Sequence, residues 1–158
     1  MRRGLKHWAA LAVILLFFAP PHAVAEWPHP GTRSLSSQLF FAELVTALNA
    51  AIKNYDMNAV SKASASAGAK QRSIVIAGNR VIGVFRNDFA VRMSAASIES
   101  GIEASLRFYL TGDSDGTAIL KYRTLTAAFA RYGNATLNDV AGELDAIFAT
   151  ISEQAARH

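Results

Sequence analysis

Helical spacing at both ends of the chain, with strand spacing between them, is the constraint that most narrows what this sequence can fold into. Phe41, Leu44, Val45, Leu48, Ala51, Ile52 and Tyr55 recur at three- and four-residue steps, which predicts an amphipathic helix over about 37–55. Ser36 or Ser37 can cap its start, and Asn54, Asp56 and Asn58 end it by competing for the backbone. Toward the other end, Leu137, Val140, Ala141, Leu144, Ile147, Phe148 and Ile151 hold a longer stripe. Ahead of it, Thr136-x-x-Asp139 has the form of a capping box with Asp in the Glu position.

The middle of the chain alternates differently. Residues 59–65 predict a weak strand in which Val60 is the only large apolar side chain, and Ser66-Ala67-Gly68-Ala69 a small-residue loop. The apolar runs 73–77 and 81–85 are β-branched and short, so both are expected as buried strands, with Gly78-Asn79-Arg80 turning between them. Residues 88–97 fit a short helix with Asp88 as its cap and Arg92 as a surface partner one turn on, broken at Gly101. Residues 105–123 are the clearest hairpin: Leu106, Phe108 and Leu110 alternate with Arg107, Tyr109 and Thr111 before the turn Gly112-Asp113-Ser114-Asp115-Gly116. That turn is similar to the start of a calcium loop, but Thr124 stands where the bidentate Glu belongs, so the Asp and Gly residues serve the turn itself. A short helix near 125–131 precedes the closing one. Segregation of strands from helices predicts an α+β fold, an antiparallel sheet of about four strands with the two long helices packed on one face.

Residues 1–25 have a separate purpose. Arg2, Arg3 and Lys6 form a positive start, 8–19 is continuously apolar, Pro20 and Pro21 break the run, and Ala23-Val24-Ala25 is a small-x-small cleavage site. The apolar run is well short of the ~20 residues a spanning helix needs. A cleaved signal peptide is therefore expected, with no transmembrane span after cleavage and a periplasmic or secreted destination. All four prolines precede residue 31, and 26–35 is expected as a flexible, extended leader to a single domain over 36–158.

Removing the signal changes what the charge means. The whole chain carries 16 basic and 12 acidic residues, but three of the basic ones and none of the acidic ones lie before Glu26. The mature chain is almost neutral, which removes the basis for nucleic-acid binding. The chain has no cysteine, which excludes disulfides and thiol chemistry and suits an oxidising compartment. Of the four histidines, His7 and His22 leave with the signal, His29 sits in the leader and His158 is the last residue. Neither a Ser-His-Asp triad nor a histidine metal cluster can be assembled from these, and no Walker or Rossmann glycine pattern is present. Glu99 and Glu103, with Gly101 between them, are expected as solvated charges. No cofactor, metal site or catalytic residue is expected.

The order and spacing of several blocks resemble a known family. The opening helix FAELVTALNAAIKNYDM, the block GVFRNDFAVRMSAASIESGIEASLRFYL, the turn GDSDG, ILKYR before a short helix ending in RYG, and the closing helix are similar to the bacterial domain of unknown function 302 family. The resemblance implies a compact α+β domain of the TATA-binding-protein type, often dimeric, and no known activity. Many members carry an Asp-His pair in the strand after the first helix, where this chain reads AVSKASAS; others have Gly-Asn-Pro before the middle helix, where it has Arg86-Asn87-Asp88. The metal, haem or ligand roles of such members therefore do not carry over.

The remaining chemistry is a polar and aromatic set around the middle block: Arg86, Asp88, Arg92, Arg107, Tyr109, Tyr122 and Arg123. Arg107 and Tyr109 share one strand face, whereas Tyr122 lies on the opposite face from Lys121 and Arg123. If the open face of the sheet forms a groove, Arg107 or Arg123 would hold a small anionic ligand and Tyr109 or Tyr122 would wall it. The competing reading of the same residues is ordinary cross-strand pairing on a solvated face. A non-catalytic binding or accessory module of the periplasm is the expected function. The alternative is a homodimeric interaction subunit of an envelope complex, and an enzyme ranks third for want of a catalytic constellation.

Overall fold

The structure, a computed structural model, describes residues 29–157. The expected signal segment lies outside the described residues. In chain order the elements are β1 (Thr32–Phe40), α1 (Phe41–Asn54), β2 (Asn58–Ala63), α2 (Ala65–Lys70), β3 (Asn79–Phe85), α3 (Asn87–Ala96), a 3-10 turn (Ile98–Glu103), β4 (Leu106–Gly112), β5 (Thr117–Arg123), α4 (Leu125–Phe129), a second 3-10 turn (Ala130–Tyr132) and α5 (Ala135–Ala156).

The strands form one antiparallel sheet in the order β1-β5-β4-β3-β2. The β4–β5 hairpin lies at its centre, and strict alternation there sends Leu106, Phe108, Leu110, Ala118, Leu120 and Tyr122 to one face. Against that face pack Leu44, Leu48 and Ile52 of α1 and Leu137, Leu144, Phe148 and Ile151 of α5. The Phe108 ring stacks on Phe148 at 4.4 Å and meets Tyr122 edge-on at 5.8 Å, so one aromatic group ties the hairpin to the closing helix. The expected α+β architecture holds, with five strands rather than about four.

The fifth strand is where the sequence-based expectation fails first. Residues 32–40, expected as the end of the leader and the first turn of a helix, form β1 at the sheet edge, paired with β5 from Thr32↔Arg123 to Ser37↔Ala118. Leu35, Ser37 and Leu39 alternate toward the core, and the helix starts only at Phe41, where the Phe40 N–H donates to Glu43 Oε2 at 3.0 Å. At its other end α1 behaves as expected: Asp56 takes φ 56° and the Met57 N–H closes onto the Ile52 carbonyl at 3.1 Å.

Four further expectations change. The small-residue loop at 66–69 is part of the helix α2, started by the Ser64 hydroxyl accepting from the Ala67 N–H and by Asn79 Oδ1 accepting from the Ala65 N–H at 2.8 Å. Residues 73–77 are not a buried strand but an irregular, exposed connection. The capping boundaries also move: Asn134, not Thr136, caps α5 by accepting the Leu137 N–H at 2.9 Å, and Asp88 lies inside the first turn of α3 rather than at its cap. Gly101 does not break α3, which ends at Ala96; it lies within the 3-10 turn between α3 and β4.

Candidate functional site

The helices cover one face of the sheet and leave the other to Arg107, Tyr109, Lys121 and Arg123. Their positions follow from register: Tyr109 pairs with Lys121, Phe108 with Tyr122 is the last pair of the ladder, and Arg107 and Arg123 come next on the two strands. At this end of the hairpin the first 3-10 turn, the start of α4 and the segment before β1 close around a cavity of about 410 Å3. Arg107, Tyr109, Lys121 and Arg123 line it, with Glu103 and His29 at its margin and Leu106, Leu125 and Ala128 among its apolar walls.

Local chemistry explains how the N-terminal segment reaches this place. Gly31 takes φ +80°, and a Cβ there would stand 2.3 Å from Ala127 Cβ and 2.4 Å from Thr124 Oγ1. Glycine therefore allows a close approach that any side chain would block. The Thr124 N–H donates to the Gly31 carbonyl at 2.9 Å, and the Thr32 hydroxyl to the His29 carbonyl at 2.8 Å. Asp145 of α5 holds the start of α4: it accepts from the Leu125 N–H and, at 2.6 Å, from the Thr126 hydroxyl.

Two arginines and a lysine face the cavity against one lining carboxylate. That carboxylate, Glu103, is already engaged by Arg131 at 3.2 Å. Arg123 is held on one side only: Nη2 donates to the Ala127 carbonyl at 3.2 Å, while the buried Nε finds no acceptor among the described residues. Tyr122 borders the cavity, but its ring belongs to the Phe108–Phe148 aromatic group, and burial pushes its phenol above the usual value. It is a core residue, so the apolar wall expected of either tyrosine falls to Tyr109.

The rest of the expected set lies elsewhere. Arg86, Asp88 and Arg92 gather at the start of α3, where Arg86 Nε meets Asp88 at 2.8 Å and Arg92 forms a two-pronged pair with Glu143 of α5. Both guanidinium groups lie over the Phe89 ring, at 4.2 and 5.3 Å. This cluster fastens α3 to α5 and does not reach the cavity. Arg92 is thus the partner of Glu143, not of Asp88.

Among the ionisable lining residues, His29, Lys121 and Glu103 are those that sequence reasoning missed. Lys121 was legible from the hairpin register, being opposite Tyr109. Glu103, expected to be solvated, is only 21% exposed in its side chain. His29 left no local signal, because its position depends on the Gly31 turn. Among the described residues no three His, Cys, Asp or Glu side chains are grouped to hold a metal, and no helix is long and apolar enough to cross a membrane.

The sequence model of a family described as "Domain of unknown function DUF302" matches residues 33–155. The chain belongs to this family. Among solved structures, an uncharacterized conserved DUF302 protein from Bacillus stearothermophilus matches with a TM-score of 0.72 and 11% identity, over 80% of this chain and 98% of that one. At that identity the likeness speaks for the DUF302 fold alone. No curated protein matches the chain. His29 and Thr32, which close the cavity, precede the segment that the DUF302 model matches.

Proposed function

We propose that this DUF302 protein is an exported, non-catalytic binding module whose cavity holds a small anionic ligand with an apolar body. The observation that carries the reading is the half-satisfied guanidinium of Arg123, anchored through Nη2 and open at a buried Nε. A buried donor left unmade is costly, and a carboxylate or phosphate oxygen is the acceptor that a guanidinium suits best. Arg107 across the ladder supplies a second cation, while Tyr109, Leu106, Leu125 and Ala128 supply an apolar wall. A volume of about 410 Å3 suits a small molecule.

Two features favour binding over catalysis. The lining carboxylate is paired with Arg131, and His29 is held through its backbone carbonyl at the exposed margin, so neither is oriented as a general base by a partner in the cavity. Export rests on the tripartite segment 1–25.

Calorimetric titration with phenyl phosphate, beside inorganic phosphate, tests the site. Binding that Arg123→Gln weakens at least tenfold, with Arg107→Gln also weakening it, is expected. Absence of binding by the wild-type protein at millimolar ligand, or wild-type affinity in both variants, would refute the proposal. The homodimer alternative has one observation behind it, the edge strand β2, in which every residue is exposed. Its test is the molar mass in solution.

A further inference from the structure

The connection between α2 and β3 places Ile74, Val75 and Ile76 at the surface, with 47%, 96% and 47% of each residue exposed. Three consecutive β-branched apolar residues in a loop are the composition of a buried strand, and their hydration is unfavourable. The loop is nonetheless held in shape. Ser73 takes the left-handed conformation, φ 58°, the Ser73 N–H donates to the Lys70 carbonyl at 3.1 Å, and the Ile74 N–H to the Ala69 carbonyl at 3.0 Å. These two bonds are a Schellman closure of α2. At the far end the Gly112 N–H donates to the Gly78 carbonyl at 2.7 Å, which ties the loop to the end of β4. The apolar tip is therefore presented by two fixed ends.

Charge is distributed to match. Between Asp56 and Asp88 the chain carries Lys62, Lys70, Arg72, Arg80 and Arg86 and no acidic residue, although the protein beyond residue 25 is almost neutral. Of these five, Arg86 is paired with Asp88; among the described residues no carboxylate forms a salt bridge with the other four. Lys70 and Arg72 are exposed immediately before the tip, and Arg80 comes after it. An apolar tip with cations on both sides has the chemistry of a segment that enters an anionic lipid interface, its aliphatic side chains among the headgroups and its cations at the phosphates. A second copy of this chain that met it through the same loop would bring the same positive charge to the contact and be repelled.

We propose that the 73–78 loop docks the protein on an anionic lipid surface, through Ile74, Val75 and Ile76 with Lys70, Arg72 and Arg80 at the headgroups. This is independent of the cavity and of its ligand.

The test is co-sedimentation of the full chain with vesicles of phosphatidylcholine alone or with about one third phosphatidylglycerol. Every variant shares the same N-terminus, so differences between variants report on the loop. Expected are preference for the anionic vesicles, weakening by salt, a loss of at least tenfold in the Ile74→Ser, Val75→Ser, Ile76→Ser triple variant, and roughly fivefold per cation replaced by Gln at positions 70, 72 and 80. Circular dichroism verifies that the variants fold. Because the chain lacks cysteine, Val75→Cys carries a single polarity-sensitive dye; its emission should shift to the blue on anionic vesicles, and the same dye at Asn138→Cys on α5 should not respond. Unchanged vesicle binding by the triple variant, equal affinity for neutral vesicles, or a dye at position 75 that does not respond each overturns the proposal. So does a triple variant that alters only the molar mass in solution, which would make the tip a protein interface.

Discussion

Arg107 and Arg123 are the residues that follow the last pair of the β4–β5 ladder, Phe108↔Tyr122, one on each strand, and both line the cavity. Like charges at neighbouring cross-strand positions destabilise a sheet, by roughly 0.2–1 kcal/mol. Here they stand beside a cavity, and an anion between them converts the repulsion into two attractions. Arg107→Gln is therefore expected to leave stability unchanged or to raise it by up to about 1 kcal/mol, while weakening anion binding. Urea unfolding with and without phenyl phosphate measures both effects; a variant that loses stability and keeps its affinity contradicts the account.

Gly31 is the hinge on which the N-terminal side of the cavity depends. Gly31→Ala imposes a left-handed conformation on a residue with a Cβ and drives that atom into Ala127 and Thr124. A loss of at least about 1–2 kcal/mol is expected, with weaker ligand binding because His29 and Thr32 are displaced. Chemical denaturation and calorimetry on the same protein check this, and retention of both wild-type values would show that the segment before β1 does not shape the site.

Asn134 and Thr136 can be separated by parallel substitutions. The Asn134 side chain accepts the Leu137 N–H at 2.9 Å and donates to the Ala96 carbonyl at 2.8 Å, joining the start of α5 to the end of α3. Asn134→Ala should cost about 1 kcal/mol of unfolding free energy, and Thr136→Ala close to none. The reverse order in urea melts would restore the capping box that the sequence suggested.

The acid limb of stability has a definite sign. The bond from Arg86 holds the Asp88 carboxyl below 3.8, and the bond from Arg92 holds that of Glu143 below 4.5. Groups with folded values below their unfolded ones add stability that is present above the unfolded values and is lost as pH falls through the folded ones. Thermal melting should therefore drop on acidification below about pH 4.5, and Glu143→Gln should flatten that drop while lowering the melting temperature near neutrality. Both carboxylates are at the surface, so added salt should reduce the difference. A variant whose acid limb matches that of the wild type would remove the Arg92–Glu143 pair from the explanation.

Legibility varied by residue for physical reasons. Arg107 and Tyr109 share one face because strand parity is local, and Lys121 was within reach of the same reasoning through the hairpin register. Arg86, Asp88 and Arg92 group with them in sequence only because they are near in the chain; the three-residue step from Phe89 to Arg92 turns that group toward α5 and Glu143 instead. β1 escaped sequence reasoning because the apolar face of α1 begins at its very end, so that one continuous run of suitable residues concealed a change of period between Phe40 and Phe41.

Periodicity by itself determined the two long helices, the central hairpin and the faces of α1 and α5, because each of these depends on spacing within one element. It also determined membership in the α+β class, since the faces thus defined must cover one another. The tertiary structure decided which element lies against each face: β1 beside β5, His29 at the same cavity as Arg123, Arg92 beside Glu143. It decided, too, that Ile74, Val75 and Ile76 remain outside, although their composition is that of a core strand. Apolar side chains specify only that burial is favourable; whether a neighbour is there to bury them depends on where the rest of the chain has gone.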